Sequence, residues 1–131
     1  MNDYEVQVFD RVDPRVAPLC AQGKFVSTND PTLTAYPAGS LIEIDNSTVR
    51  RRQSTSFTED YSNVMYQLDV YGMTKQSCRT VYKAADEEMI RMGFVRVSGT
   101  WLDNSAVPEV SRYTARYEAW IDAKGIIYRP A

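Results

Sequence analysis

Val64, Tyr66, Leu68 and Val70 alternate with Met65, Gln67, Asp69 and Tyr71, and Gly72 closes the run. That period of two predicts a strand with one buried face. The pattern then changes. Cys78, Val81, Tyr82, Ala85, Met89 and Met92 recur at three- and four-residue steps, the stripe of an amphipathic helix. Thr74 is placed to cap its start and Gly93 to end it in a left-handed conformation. On its polar side, Lys83–Glu87 and Glu87–Arg91 are spaced as i,i+4 pairs, with Arg79 and Glu88 on the same solvated surface.

Downstream, Phe94 to Trp101 reads as a strand with Gly99 as a bulge or bend, followed by a turn around Asp103, Asn104 and Pro108. The longest strand runs from Val110 to Ile121. Tyr113, Ala115, Tyr117, Ala119 and Ile121 form one face, opposite Arg112, Thr114, Arg116, Glu118 and Trp120. A turn at Gly125 leads to the apolar stub Ile126-Ile127-Tyr128. Upstream, Val8 or Phe9, Val12, Val16 and Leu19 fit a helix with Gly23 as its stop. Pro14 leaves two forms open, a kinked helix or a shorter one capped by Asp13 with Pro14 as its first residue. Residues 27–40 carry loop formers. Leu41 to Asp45 alternates, with Ile42 and Ile44 on one side, Glu43 and Asp45 on the other, and Asp45-Asn46-Ser47 as its end. Residues 49–63 are too polar for a core and read as a mobile arm between two strands.

These elements define one α+β domain over residues 1–131. It is a mainly antiparallel sheet of about four strands with helices packed on one face, in the order α-β-β-α-β-β. Alternation in every strand, instead of continuous apolar runs, excludes a doubly wound parallel sheet. The second sheet face, bearing several tyrosines, is left to solvent or a neighbouring subunit.

Composition narrows the chemistry. The chain has 44% apolar and 24% charged residues, enough for one core without metal or disulfide staples. A net charge of −2 marks no general nucleic-acid binder. No apolar stretch reaches the ~20 residues of a membrane span, and the first residues lack a secretory pattern. Cys20 and Cys78 are expected as buried thiols of a reduced protein, with one disulfide as the alternative. There is no histidine, which removes the commonest general base and metal ligand. Glu43, Asp45 and Asp69 are the carboxylates a two-metal nuclease could use, although solvated sheet-face charges are the simpler reading. Trp101 and Trp120 could stack a ligand, but burial is the simpler reading for both. No cofactor is expected.

Four stretches, taken together, carry a resemblance. They are Ile42 to Arg51, a strand entering an arginine-rich turn; Val64 to Tyr71 with the helix after it; Met92 to Arg96; and Ser111 to Tyr117 with Gly125 to Arg129 closing the chain. In order and spacing the chain resembles the tail terminator, or head–tail joining, proteins of long-tailed bacteriophages. The resemblance implies a non-enzymatic virion subunit, made in the host cytoplasm, that closes into a ring, typically of six. Such a ring caps the tail tube, ends its polymerisation and docks to the head connector. Its partners would be its own copies, the tail tube protein and the connector or stopper, with DNA passing through the lumen unbound. Other connector or minor tail proteins are the neighbouring alternative. Arg50, Arg51 and Arg52 are then candidates for pairing across the subunit boundary, with Phe57 and Tyr61 as apolar anchors.

Overall fold

The computed structural model describes residues 4–20, 25–27, 37–48, 61–102, 110–122 and 124–128. These form a mixed α+β structure. In chain order the elements are α1 (Glu5–Val16), β1 (Phe25–Val26), β2 (Ala38–Thr48), β3 (Tyr61–Gly72), α2 (Lys75–Met92), β4 (Val95–Leu102), β5 (Ser111–Asp122) and β6 (Ile127–Tyr128). One six-stranded sheet runs β1-β2-β3-β5-β4, and β6 pairs with β5. The count of four strands is therefore corrected. The four long strands and two helices follow the anticipated succession, but two-residue strands are added before β2 and after β5. Segments of that length carry no periodicity to detect. Every pairing is antiparallel except β1 with β2.

The helices lie on one face. Val64, Tyr66, Leu68 and Val70 of β3 and Tyr113, Ala115, Tyr117, Ala119 and Ile121 of β5 are buried there. They join Cys78, Val81, Ala85, Met89 and Met92 of α2 and Val8, Val12 and Val16 of α1 in one core. Tyr66 and Phe94 meet edge-on at 5.5 Å between ring centroids, and Phe9 stacks on Phe25 at 5.3 Å.

Local chemistry explains where α2 begins and ends. The Thr74 hydroxyl accepts the Ser77 N–H at 3.1 Å, and the Ser77 hydroxyl accepts the Thr74 N–H at 3.3 Å. This reciprocal capping satisfies donors that a helix start leaves unpaired. Gly93 ends the helix at φ +113°, in the left-handed region where a side chain is strained, and its N–H reaches the Ile90 carbonyl. Gly72 lets the strand pass close to this start: a Cβ there would lie 2.5 Å from Ser77 Oγ and 2.9 Å from Cys78 Sγ.

Three further expectations change, and one open alternative is decided. Pro14 lies inside the last turn of α1, so of the two forms the longer helix running through it is the one present, and a 3₁₀ turn follows over Ala17–Leu19. Its missing N–H costs one bond to Asp10, where the helix is about to tighten anyway. Leu19 consequently leaves the apolar stripe and is exposed. Within residues 27–40, positions 38–40 already belong to β2, which continues past Asp45 to Thr48. Finally, Ile42 and Ile44 do not face the core. Leu41 does so, opposite Leu68, while Ile42 pairs with Gln67 on the other face. A bulge leaves Ile44 without a partner between Glu43↔Tyr66 and Asp45↔Met65. The expected stop at Gly23 and the turn at 103–108 fall outside the described residues.

The two α2 features give a direct stability test. Thr74→Ala should cost about 1 kcal/mol through the lost cap, whereas Met89→Ala in the core should cost about 2–5 kcal/mol. Denaturant midpoints measure both, and equal losses would contradict this division between cap and core.

Candidate assembly interface

Arg50, Arg51, Arg52 and Phe57 lie outside the described residues, as does most of the arm at 49–63. The last three positions of that arm belong to β3. Tyr61 opens the strand with its backbone paired to Asp122, and its side chain is outside the described set. The sheet itself supplies the interface geometry.

Its second face is less open than the alternation suggests. Asp69 points away from the helices yet is only 1% exposed. One carboxylate oxygen accepts from Arg112 at 3.1 Å and the other from Gln67 at 3.0 Å. The Arg112 guanidinium also lies 5.6 Å from the Tyr71 ring. Trp120 is buried on this face as well, while Arg116 stays exposed. Among the described residues, the expected tyrosines of the outer face are only partly there: Tyr71 and Tyr128 lie on it by register, opposite Arg112 and Trp120, whereas Tyr66, Tyr113 and Tyr117 turn into the core, because their positions share the parity of Val64 and Val70.

The carboxylate trio for a two-metal site is not brought together. The β2 bulge reverses the alternation, so Glu43 pairs with Tyr66 on the helix side and Asp45 with Met65 on the other. Met65 and Asp69 are four residues apart on β3, roughly 13 Å along an extended strand. Asp69 is held by Arg112 instead. Among the described residues, no cluster of three or more candidate ligands could hold a metal ion.

Trp101 packs against Tyr113 at 5.2 Å and Tyr82 at 6.3 Å, with Lys75 Nζ 5.4 Å from its ring. It is half-buried inside this cluster, and neither tryptophan stands out as a stacking platform. Glu88, expected on a solvated face, is buried between the helices. It accepts from Arg91 at 2.9 Å and from Arg15 of α1 at 3.3 Å, and Arg15 also reaches Glu87 at 3.6 Å. The sequence hid this role because the partner comes from another helix, 73 positions away.

A cleft of about 230 Å³ lies where the start of α1 meets the β5–β6 turn, lined by Tyr4, Gln7, Val8, Arg11, Met92, Lys124, Gly125 and Ile127. Among these residues there is no carboxylate or thiol. No helix of the described residues is long and apolar enough to cross a membrane. No protein-family model matches this chain, and no curated protein matches it in sequence.

Both cysteines are free thiols, buried as expected. Burial pushes each up to about 11, and Asp13 adds to the effect at Cys20. Thiolate is the reactive form, so both are poor nucleophiles at neutral pH. Burial, followed by its 2.7 Å hydrogen bond to Asp86, raises the Tyr117 hydroxyl far above its ordinary value too. A raised acid binds more protons in the folded state than in the unfolded one at high pH. Its stabilising contribution is therefore whole below pH 9, the ordinary thiol value, and is lost as pH rises through about 11. The folded protein should react with a thiol reagent at pH 8 at least tenfold more slowly than the denatured chain. Its denaturant midpoint should fall between pH 9 and 11. Equal labelling rates would contradict the buried placement of both thiols.

Proposed function

We propose that this chain is a ring-forming structural subunit at the head–tail joint of a long-tailed bacteriophage, where it caps the tail tube and ends tube polymerisation. The observation that carries the reading is an open sheet with two unlike ends. At one end stands β2, with β1 along its first residues only; at the other stands β4. A subunit that repeats around an axis needs two different, complementary side surfaces, which a closed barrel or a symmetric sandwich does not offer. The resemblance of the four sequence stretches to tail terminators supports the same role.

In this reading the subunit works by fit alone and uses neither cofactor nor catalysis. Its partners are further copies of itself, six to a ring as the resemblance implies, with the tail tube below and the head connector above. A net charge of −2 suits a ring whose lumen passes DNA without gripping it. Arg50, Arg51 and Arg52 pair with carboxylates across a subunit boundary, and Phe57 and Tyr61 anchor the same contact. Opposite charges at such a boundary set register more than raw affinity.

Changing all three arginines to glutamate should leave the fold and its melting temperature nearly unchanged, since exposed pairs contribute little to stability. Tails assembled with that variant should lack the terminal ring and fail to join heads. Electron microscopy of the tails reads the outcome. Normal-length tails that join heads would remove these residues from the interface, and unmodified protein found along the whole tube would overturn the terminator role.

A further inference from the structure

Helix α2 and strand β4 form a flank on which aromatic rings and cations share one strip. By register Arg96, Gly99 and Trp101 of β4 lie on the helix side of the sheet, opposite Tyr117, Ala115 and Tyr113. Tyr82 of α2 stacks on Tyr113 at 4.1 Å between ring centroids, and Trp101 meets Tyr113 at 5.2 Å. Lys75 Nζ and Arg79 Cζ lie 5.4 and 5.9 Å from the Trp101 ring.

Tyr113 is the unusual member. It is only 7% exposed, yet its hydroxyl has no hydrogen-bond partner among the described residues. A buried tyrosine ordinarily gives its hydroxyl a partner, as Tyr117 does by donating to Asp86 at 2.7 Å. The Tyr113 hydroxyl reaches instead into a gap that Gly99 leaves in β4. A Cβ at Gly99 would collide with Tyr113 Oη and lie 3.7 Å from Arg96 Cδ, and Gly99 itself is exposed. A strand glycine can serve only to make room for a close neighbour. That accounts for the ring, but not for an unpaired hydroxyl among cations.

Those cations have charge to spare. The ion pairs among the described residues do not include Lys75 or Arg79. Asp86, the carboxylate beside Arg96, is already engaged by Tyr117 and by Arg96 at 3.4 Å. Lys75 does not serve its own helix either, since a cation in the first turn opposes the dipole. The N–H groups of that turn are not the site, because Thr74 and Ser77 cap the helix start. Burial raises the Tyr113 hydroxyl above its ordinary value, so at neutral pH it is protonated and can donate.

An unpaired donor bordered by cations fits an anionic oxygen. The surroundings favour a carboxylate over a phosphate chain. Lys75 and Arg79 lie over the Trp101 ring and Tyr113 packs against it, so no base is left a ring to stack on. Few cations on a chain of net charge −2 also make a poor track for a nucleic-acid backbone. A carboxylate needs only a donor and a cation or two. Gly99 and Trp101 are roughly 7 Å apart along the strand, the spacing of acidic side chains two residues apart in an extended segment.

We infer that the gap at Gly99 is a docking point for an acidic segment of a partner protein. The Tyr113 hydroxyl and Arg96 hold one carboxylate there, and Arg79 and Lys75 hold the next. The inference stands on this flank alone and does not depend on the ring reading.

Trp101 reports on the site once Trp120, buried on the opposite face, is replaced by phenylalanine. Blocked hexaglutamate peptide, titrated into purified Trp120→Phe protein at low salt, should change the Trp101 emission saturably, and added salt should weaken the binding. Tyr113→Phe in that background keeps the ring and removes only the hydroxyl. It should weaken binding about tenfold, the size of a hydrogen bond to a charged group, and leave the melting temperature nearly unchanged. Lys75→Gln/Arg79→Gln should weaken binding comparably. Unchanged affinity in Tyr113→Phe would overturn the proposal. So would no response to millimolar hexaglutamate, or tighter binding of hexathymidylate, which would make the flank a nucleic-acid surface. Should Trp120→Phe fail to fold, titration calorimetry on chains that keep Trp120 reads the same affinities, and the same outcomes decide.

Discussion

The antiparallel ladder between β3 and β5 is the constraint on which the rest of the structure depends. It runs in unbroken register from Tyr61↔Asp122 to Gly72↔Ser111. Every element of the core refers to the face it creates. Val64, Tyr66, Leu68 and Val70 meet Ala119, Tyr117, Ala115 and Tyr113 across it, and the α2 stripe lies over them. The small residues Ala115 and Ala119 alternate with large tyrosines, which leaves room for α2 to approach. A one-residue slip would turn this whole set to the opposite face.

Because the central pair is fixed so firmly, the remaining elements attach at its margins by more particular means. Helix α1 reaches the core through Val8, Val12 and Val16 and is tied to α2 by Arg15 on Glu88. A buried carboxylate with two arginine partners serves orientation more than stability, since desolvation offsets much of the attraction. Strands β2 and β4 flank the ladder, each interrupted by one bulge. The sheet therefore grows outward from a rigid centre to two irregular, partly apolar edges. That gradient is the physical basis for reading the molecule as a subunit of something larger.

Much of this was legible in the sequence, for definite reasons. Strand β3, helix α2 and strand β5 combine long periodic runs with local stop signals, Thr74, Gly72 and Gly93 among them. The structure uses each of those as expected. Legibility failed where the determining contact is distant or the segment short. Phe25–Val26 and Ile127–Tyr128 are held by neighbours, not by pattern. The bulge at Ile44 cannot be read from alternating letters, and it alone moved Glu43 and Asp45 to opposite faces. Glu88 resembled a solvated charge because its partner Arg15 lies on another helix. Of the candidate interface, the arginine run and Phe57 fall outside the described residues. The sheet edges, which sequence reasoning did not single out, carry the geometric case instead.

Amide hydrogen exchange resolved along the chain, compared between free subunits and assembled tails, tests the central claim most directly. A rigid β3–β5 ladder with two unlike ends predicts strong protection of β3 and β5 in both states. Protection should rise on assembly in β2 and β4 together, the strands at the two ends of the sheet, because in the ring reading those ends meet neighbouring copies. Unchanged exchange at both edges in assembled tails, or protection appearing at one edge alone, would contradict the account.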